Sequence, residues 1–548
     1  MAHYSIRCNL VSATFPFYTE GWGRSVIVPQ IDFNYDRQAA AAIADNDKDK
    51  GIPQLFYAHN VMPTTQGAQA IGFNEIWPGL FEVTDFDQAF PFYTASRNRF
   101  IFVPAAGKNY IANANTGVWQ SVSPLAPGTV ADNVLLTVAY VKEQTYFCYA
   151  GNGIYIYDDT ANTFVPQTFT AGSFITTADV LCICEAGGYL IAITLNGEVY
   201  WSSLNDPLDF EPSLETGSSS TYVSEAKGKA SFCLSISGGF MIYYEGNVVS
   251  ATYTGNIQFP FVFKQVNGAG IVAGPEHVSW QAGTAEHYVW SNTGLQRLTR
   301  IESVNIFPEA SDFLAAKIYE DFDEDTLTLS SQYLDTNLFV NLHFVTSRYM
   351  VVSYGTDPNT FSFALIYDLS LKRWGKIKIE HRDVFQWNFP NMYGEVTYDM
   401  LEELTYDFLY DTTYDELGSR VRNQAIVKEN IAFLLQDGTV KILDFSLGNS
   451  AASGVLIAGK YQLLRAEWII HLESEVEVVN TADEFKYYLL PSLDGKTLLP
   501  AVAPMLVKNS AKLRKYMRKY TAQNFSSLFV GAFNLVSFQI SVTKGGSR

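Results

Sequence analysis

The chain of 548 residues carries a net charge of -19 at pH 7, and 15% of its residues are aromatic whereas only 17% are charged. This length is too great for one ordinary core and predicts two to four domains, or fewer if one of them is a large repeat. The acidic balance argues against a general nucleic-acid binder, and no apolar run reaches the roughly 18 residues that cross a bilayer. Because the first residues also lack a secretion signal, we expect neither a membrane protein nor a secreted one.

Short strands dominate the predicted elements. Most segments are about four to eight β-branched and aromatic residues bounded by Gly, Asn, Asp or Pro, which is typical of strands and turns. Helical periodicity is scarce. It predicts one short helix over residues 37–44, which contain a run of four alanines, and another over residues 512–520.

A hairpin pattern recurs along the chain. Each copy has an apolar strand, usually with one or two tyrosines, then a turn rich in Asn, Asp or Gly, and then a second strand. Most neighbouring copies lie roughly 35 to 50 residues apart, which is the length of a four-stranded propeller blade. Because radially packed blades bury both faces of each sheet, the repeat predicts an all-β protein with a β-propeller of roughly six to eight blades; a series of β-sandwiches is the alternative. The copies begin at Lys108, Gly153, Gly188, Phe240, His287, Phe363 and Ile431.

The gaps between the copies suggest the domain boundaries. We predict an N-terminal portion over residues 1–100 that leads into a platform and the first blade, and a propeller over residues 101–394. An insertion follows over residues 395–420, a last blade over residues 421–459, and a C-terminal β domain that forms the platform over residues 460–548. The two longest gaps, between Trp290 and Phe363 and between Trp374 and Ile431, should hold a degenerate blade or insertions.

One insertion is visible in the second of these gaps. Residues 395–416 repeat Thr-Tyr-Asp with an eight-residue period and carry eight acidic side chains and no basic one. An acidic contact loop is one interpretation, with Tyr398, Tyr406 and Tyr414 as its contact residues. A solvated insertion whose tyrosines pack on the propeller is the other.

The charge is unevenly distributed along the chain. After Asp494 there are nine basic residues and no acidic one, whereas the chain before that point is strongly acidic. Two surfaces of opposite sign predict ordered self-assembly or a specific contact with a polyanion. A solubilising basic face on a packed element is the alternative. The candidate contacts to DNA or to a neighbouring adaptor protein are Lys508, Lys512, Arg514, Lys515, Arg518 and Lys519.

Motifs for catalysis and metal binding are absent from the sequence. The seven histidines and five cysteines show no ligand spacing, and there is no Gly-x-Ser-x-Gly, phosphate loop or dinucleotide fingerprint. We therefore expect no enzyme activity, no cofactor, no metal and free, mostly buried thiols. Acidic runs from Asp45 to Asp49 and from Asp321 to Asp325 resemble calcium loops, but neither has the loop's glycine in place, and solvated turns explain them better.

Four stretches of the chain form recognisable patterns. WSSLNDPLDF has an aromatic residue, Ser, Leu, Asp, Pro and Phe in a set order, and NVMPTTQGAQAIGF has Asn, Pro and Gly ahead of a strand. ALIYDLSLKRWGKI forms a strand pair, and FNLVSFQISVTKGGSR ends the chain. In these stretches the chain resembles the tail hub and nozzle proteins of short-tailed phages (podoviruses), a family that includes tail tubular protein B and packaged-DNA stabilisation proteins. The matching positions are Asn60, Pro63, Gly67, Trp201, Ser202, Leu204, Asp206, Pro207, Phe210, Tyr367, Asp368 and Trp374.

The resemblance implies a structural virion protein. Members of this family form a ring, usually hexameric, below the portal and the adaptor, where they extend the DNA channel, help to retain packaged DNA and support fibres or a needle. It implies a homohexamer that contacts the adaptor or portal-side protein, a fibre or needle protein and the packaged double-stranded DNA, with no membrane contact, in a virion tail assembled in the bacterial cytoplasm. The alternatives are a carbohydrate-binding propeller of a phage receptor-binding protein and a glycan-degrading enzyme.

Overall fold

Strands make up most of the part of the chain that the computed structural model describes. Two short 3-10 helices, Thr177–Asp179 and Pro275–His277, and a few helical residues are also present. No helix among the described residues has the length and apolar character needed to span a membrane. The predicted all-β class is confirmed.

The described residues are 3–9, 55–65, 67–77, 89–95, 99–104, 109–113, 119–122, 134–279, 284–307, 310, 311, 314, 318–323, 328–333, 338–344, 348–358, 360–387, 430–444, 453–461, 469–478, 485–492, 505–507, 513–516, 520–522 and 524–544.

The N-terminal strands precede the repeat, and each of them pairs with at least one strand from a distant part of the chain. They are β1 (His3–Asn9), β2 (Leu55–His59), β3 (Val61–Pro63), β4 (Ala68–Ala70) and β5 (Gly72–Trp77).

Four-stranded antiparallel units then follow one another, and each forms one blade of a β-propeller. Blade 1 is β6 (Phe90–Tyr93), β7 (Arg99–Val103), β8 (Asn109–Asn113) and β9 (Trp119–Val122). Blade 2 is β10 (Leu136–Val141), β11 (Gln144–Tyr149), β12 (Gly153–Asp158) and β13 (Thr163–Gln167). Blade 3 is β14 (Val180–Ala186), β15 (Tyr189–Thr194), β16 (Glu198–Trp201) and β17 (Ser219–Tyr222). Blade 4 is β18 (Ala230–Ile236), β19 (Gly239–Tyr244), β20 (Val248–Tyr253) and β21 (Phe261–Gln265). Blade 5 is β22 (Val278–Ser279), β23 (His287–Ser291), β24 (Gly294–Leu298) and β25 (Ser303–Asn305).

An inserted hairpin separates the last two blades from the others. It consists of β26 (Ile318–Asp323) and β27 (Thr328–Tyr333). Blade 6 is β28 (Phe339–Phe344), β29 (Tyr349–Gly355), β30 (Phe361–Asp368) and β31 (Arg373–His381). Blade 7 is β32 (Asp383–Trp387), β33 (Asn430–Leu434), β34 (Val440–Asp444) and, as its outer strand, β5. A strand from the N-terminal region therefore completes the last blade.

The hairpins recognised in the sequence coincide with the blades. Each of the seven copies lies in a different blade, so the propeller repeat is confirmed. In blades 1, 2 and 6 the copy is formed by the third and fourth strands, whereas in blades 3, 4, 5 and 7 it is formed by the second and third. This change of phase, the β26–β27 insertion and the long segment between β32 and β33 of blade 7 together explain the irregular spacing of the copies.

Hydrophobic clusters fill every junction between successive described blades, including the junction of blade 7 with blade 1. Side chains alternate across a strand, so Phe240 packs with blade 3 while the adjacent Met241 packs with blade 5. Ile101 of blade 1 packs with Leu434 of blade 7, which closes the ring. Burial on both faces explains why these strands are continuous apolar runs.

The remaining strands form a second unit, which we call the C-terminal β unit. One of its sheets continues blade 6 in the order β31-β3-β4-β42-β36-β39, with β1 also on β42 and β40 on β36; the other has the order β2-β35-β41-β37-β38. The Tyr487 hydroxyl of β37 donates to Ser474 Oγ of β36 at 2.8 Å, so the two sheets face each other. Its new strands are β35 (Gly454–Tyr461), β36 (Ile469–Val478), β37 (Phe485–Ser492), β38 (Met505–Val507), β39 (Leu513–Tyr516), β40 (Tyr520–Ala522), β41 (Asn524–Gly531) and β42 (Asn534–Lys544).

The first and the last described strands pair in the C-terminal β unit, where His3 of β1 lies opposite Thr543 of β42. The portion predicted as 1–100 is divided: β1 to β4 lie in this unit, β5 lies in blade 7, and β6 and β7 lie in blade 1. β35 pairs with β2 and β41, so we place the start of the unit before residue 460. Because the partners of these strands are far away in the sequence, no local sequence pattern predicts the pairings.

The helix predicted over residues 512–520 is wrong. Leu513 to Tyr516 form β39, which pairs with β36 so that Leu513 lies opposite Glu477. A short segment of mixed apolar and basic residues fits both periodicities, and pairing with an existing strand favours the extended form. The helix predicted over residues 37–44 and the acidic insertion over residues 395–420 lie outside the described residues.

Candidate functional site

The loop that follows β16 carries one of the family-like motifs. Trp201 is buried, and its Nε1–H donates to the Gly217 carbonyl oxygen at 2.7 Å, near the end of the loop. The Ser202 hydroxyl oxygen accepts the Leu190 N–H at 3.0 Å and donates to the Ser203 carbonyl oxygen at 3.2 Å. These contacts anchor both ends of the loop on blade 3.

The middle of this loop packs toward blade 2. Asp206 Oδ1 accepts the backbone N–H two residues ahead at 2.9 Å, which makes an Asx turn. The side chain of Phe210 is buried against Phe169, just after blade 2, with ring centroids 4.5 Å apart. Pro207 is buried and Leu204 is half-buried. The motif therefore forms a joint between blades 2 and 3.

Asn60, Pro63 and Gly67 lie where the propeller meets the C-terminal β unit. Asn60 has φ 51°, a left-handed conformation that asparagine tolerates. Its Oδ1 accepts the Lys378 N–H of β31 at 2.9 Å, and its Nδ2 donates to the Ser453 carbonyl oxygen at 3.2 Å. Pro63 is buried at the end of β3, and the Gly67 N–H donates at 2.9 Å to the hydroxyl of a threonine three residues earlier. The β3–β4 turn is thereby held against blade 6.

Tyr367, Asp368 and Trp374 lie at the turn between β30 and β31. Asp368 is 1% exposed, and its Oδ2 accepts two N–H groups of the Arg348 guanidinium at 2.8 and 3.0 Å. Its Oδ1 accepts two backbone N–H groups of the turn at 2.9 Å each. The rings of Tyr367 and Trp374 lie 4.9 Å apart, and Phe307 contacts both. These contacts fix the outer hairpin of blade 6.

The structure brings two of the motif groups together and leaves the third apart. Arg373, beside Trp374, donates to the carbonyl oxygens of Thr64 and Gly67 at 3.2 and 3.3 Å, which links the turn of blade 6 to the β3–β4 turn. The loop after Trp201 lies in blade 3. All three motif groups hold neighbouring elements together.

Part of the predicted basic contact segment lies within the described residues. Arg514 and Lys515 lie on β39, the last strand of the larger sheet in the described part of the chain. The other predicted contacts, including the tyrosines of the insertion between β32 and β33, lie outside the described residues. They are Lys508, Lys512, Arg518, Lys519, Tyr398, Tyr406 and Tyr414.

Two fully buried histidines are hydrogen-bonding members of the core. His287 Nε2 donates to the Ser235 carbonyl oxygen at 2.9 Å, so its Nδ1 accepts the Tyr243 hydroxyl at 2.8 Å. Burial lowers the pKa of His287 to about 4. His381 donates from Nδ1 to a backbone carbonyl at 2.8 Å and accepts the Ser353 hydroxyl at 2.7 Å, and burial lowers its pKa to about 3. Both side chains are neutral near pH 7 and enclosed, which is the opposite of an accessible acid–base catalyst.

A buried His–Asp pair that sequence reasoning missed lies near the closure of the ring. His343 Nδ1 of β28 and Asp383 Oδ1 of β32 are 3.1 Å apart, and both side chains are at least nine-tenths buried. Asp383 Oδ2 also accepts the N–H of Ala89, just before β6. The pair thus connects the first strands of blades 6, 7 and 1. These residues are distant in sequence and lie in no motif, so no local signal marks them.

The thiols are free and enclosed, as predicted, for the four cysteines whose side chains are described. They are Cys148, Cys182, Cys184 and Cys233. Burial raises the pKa of each thiol, so the reactive thiolate form is suppressed.

Metal-binding groups are not assembled within the described part of the chain, where no cluster of three or more His, Cys, Asp or Glu could hold an ion. Asp321 and Asp323 lie on strand β26, so the solvated turn predicted for them is wrong at these two positions. Strand pairing with β27 takes them out of a loop. The run from Asp45 to Asp49 lies outside the described residues.

Comparisons with known proteins give only distant similarities. No family model matches the chain, and no curated protein matches it. Among solved structures the chain is similar to BamB from Moraxella catarrhalis, at 10% identity and a TM-score of 0.32 over 72% of this chain and 100% of that one. It is also similar to the WD40 β-propeller domain of Doa1, at 11% identity and a TM-score of 0.34 over 69% and 97%.

A third similar structure is a catalytically inactive virginiamycin B lyase from Staphylococcus aureus with quinupristin, at 9% identity and a TM-score of 0.34 over 68% of this chain and 100% of that one. At these TM-scores the likeness carries no argument about function. The assignment of the chain as a β-propeller rests on its own blade pairings and its closed ring of hydrophobic clusters.

Proposed function

We propose that the chain is a structural ring subunit of a virion tail, the nozzle or hub that extends the portal-adaptor DNA channel of a short-tailed phage. The proposal rests on the location, within the fold, of the positions that match the phage tail hub and nozzle family. Asn60 and Gly67 hold the joint between blade 6 and the C-terminal β unit, and Asp368 and Trp374 fix the turn of blade 6 beside it. The loop after Trp201 joins blades 2 and 3. Positions that secure the joints of a scaffold suit a protein whose role is shape and support.

The proposed role is to retain packaged DNA, to guide its ejection and to support tail fibres or a needle. A net charge of -19 supports this role because an acidic wall repels duplex phosphates and lets DNA slide without sticking. The aromatic content of 15% suits extensive contacts between subunits. The proposed partners are five further copies, an adaptor or portal-side protein, a fibre or needle protein and the passing DNA, in a tail assembled in the bacterial cytoplasm.

The chemistry of the buried groups supports a structural role rather than a catalytic one. His287 and His381 are enclosed with lowered pKa values, and burial raises the pKa of the Cys182 thiol. Each of these groups is held in its uncharged form and away from solvent. A conduit needs no accessible nucleophile or proton donor.

Cryo-electron microscopy of the purified chain, and of virions produced from the genome that encodes it, tests the proposal. We expect a ring of six copies below the adaptor, with the channel passing through its centre. A chain missing from the tail, or a monomer under conditions that assemble other tail proteins, would contradict it.

A carbohydrate-binding propeller of a receptor-binding protein is the second candidate, and one observation favours it. Tyr93 and Tyr140 lie near the ends of the first strands of blades 1 and 2; the two residues are 44% and 49% exposed, and their ring centroids are 6.4 Å apart. Exposed aromatic rings with polar tips are suitable for sugar binding. Glycan-array binding that is lost in Tyr93→Ala with Tyr140→Ala, and retained in Phe259→Ala, would support this candidate over the ring.

A further inference from the structure

Three thiols meet in the junction between blades 3 and 4. Cys182 and Cys184 lie on β14 and Cys233 lies on β18, the first strands of the two blades, and all three belong to one cluster of buried residues. The Cys233 thiol hydrogen-bonds with the thiols of both Cys182 and Cys184. Residues two apart on a strand face the same side, so both cysteines of β14 reach the same neighbour. The central thiol thus has a reaction partner on either side.

A tyrosine hydroxyl without a partner lies in the same cluster. Tyr244 of β19 is buried, and its hydroxyl has no hydrogen-bond partner among the described residues. Burial raises the pKa of this hydroxyl, and Cys182 and Cys233 raise it further, which places the hydroxyl near the thiols. A buried donor without an acceptor is costly, and a redox role is one explanation for such a group. An oxygen atom added to one of the sulfurs would supply the missing acceptor.

We propose that Cys182, Cys184 and Cys233 form an oxidation site, at which a peroxide makes a disulfide bond between blades 3 and 4. This inference goes beyond the proposed ring and does not depend on it. Hydrogen peroxide is small and neutral, as a reagent that reaches a buried sulfur must be. Burial keeps the thiols protonated, so the bond forms slowly. The same burial shields the bond from reductants once it has formed.

The reaction has two steps. First, the Cys233 sulfur attacks one oxygen of hydrogen peroxide: an S–O bond forms, the O–O bond breaks, and the departing oxygen leaves as water with the thiol proton. The Tyr244 hydroxyl donates to the sulfenic oxygen formed in this way. Second, the sulfur of Cys182 or Cys184 attacks Cys233: an S–S bond forms, the S–O bond breaks, and a second water leaves. Two thiols are oxidised to a disulfide, and one peroxide is reduced to two waters.

Peptide mapping of the folded full-length chain after treatment with hydrogen peroxide tests the site. Remaining thiols are alkylated before digestion, and no reductant is added. Trypsin cleaves after Lys227 and Lys229, between the cysteines of β14 and Cys233, so the disulfide joins two separate peptides. We expect Cys233 to be linked to Cys182 or Cys184. A map in which Cys233 stays reduced, or is oxidised without a partner, would overturn the inference.

Cys148→Ser is the matched control, because Cys148 lies in the junction of blades 2 and 3, where its thiol hydrogen-bonds with Thr137. This variant should form the cross-link at the wild-type rate, whereas Cys233→Ser should form none. A cross-link that is lost in the first variant, or that persists in the second, would place the reactive pair elsewhere and contradict the inference. If either variant fails to fold, the wild-type map still decides.

Tyr244→Phe examines the part assigned to the hydroxyl. The variant keeps the ring but removes the hydrogen-bond donor, so we expect the cross-link to form about ten-fold more slowly. The time course of the same peptide map measures the rate. An unchanged rate would contradict the assignment of Tyr244 to the site.

Discussion

Buried polar side chains in this protein hold turns and strand ends in place. Asp368 accepts two hydrogen bonds from the Arg348 guanidinium and two from backbone N–H groups, at a position that solvent barely reaches. Removing such a carboxylate leaves its donors without a partner, and this loss costs more than the hydrogen bonds themselves contribute. The aspartate of the family-like motif is thus explained by folding alone.

Replacing Asp368 by alanine should lower the free energy of unfolding by about 3 kcal/mol, because four hydrogen bonds to a buried carboxylate are lost. Asp368→Asn keeps an acceptor oxygen and should cost about half as much. Denaturant titration followed by tryptophan fluorescence measures both. Asp437→Ala, at an exposed turn with one side-chain hydrogen bond to a backbone N–H at 2.9 Å, is the control and should cost less than about 1 kcal/mol. Equal losses in all three variants would contradict the assignment.

The neutral core histidines predict that acid destabilises the fold. The pKa of His287 is lowered from 6.5 to about 4, so between these values the unfolded chain binds a proton that the folded chain does not. The stability contributed by the neutral ring is fully present above pH 6.5 and is lost as the pH falls toward 4, at about 1.4 kcal/mol per pH unit. His381, with its pKa lowered to about 3, acts in the same direction.

His287→Gln should reduce the slope of the free energy of unfolding against pH by an amount that corresponds to up to about one bound proton. Glutamine can make both hydrogen bonds of the ring but does not titrate. Free energies of unfolding at pH 7, 6 and 5 measure the effect. An unchanged slope in the variant would show that the ring of His287 is not the group responsible.

The loop after Trp201 shows how an irregular element joins two blades. Phe210 is buried in the junction between blades 2 and 3, together with Tyr200 and Ile154. Phe210→Ala should lower the free energy of unfolding by about 4 kcal/mol, because it leaves a cavity in that junction. Phe259→Ala removes the same side chain at a 71% exposed position of blade 4 and should change stability by less than about 0.5 kcal/mol. Thermal and denaturant unfolding of the two variants compare them, and similar losses would contradict the proposed joint.

Local elements could be predicted from the sequence, and long-range pairings could not. The seven hairpins were recognisable because strand composition and turn residues are local features, and each copy lies in its own blade. The closing strand β5 and the pairing of β1 with β42 depend on segments far apart in the chain, which leave no periodic signal. The segment that forms β39 fits a helix as well as a strand until its partner β36 is known.

The same division between local and long-range features applies to the residues of the candidate site. Asp206, Asp368 and Asn60 were singled out from short motifs, and their hydrogen bonds explain why those residue types occupy those turns. His343 and Asp383 were missed, because only closure of the ring brings blades 6, 7 and 1 together. The exposed side chains of Phe174, Leu214 and Tyr222 were also missed, since burial cannot be judged from a strand-rich sequence without the packing of the blades.

At the scale of the whole molecule, a closed propeller is joined through its sixth blade to a two-sheet unit that contains the first and the last described strands. Acidic residues dominate blades 2 and 3, and basic residues dominate the end of the chain. A charge division of this kind weakens association between like surfaces and favours a head-to-tail arrangement. The proposed ring is an arrangement of this kind.

The native mass of the purified full-length chain tests this account most directly. Native mass spectrometry at low ionic strength, where charge contacts are least screened, should show a species of six times the 61.1 kDa chain mass. A mass that stays at one or three chains at every concentration would contradict the ring and favour a monomeric or trimeric binding protein.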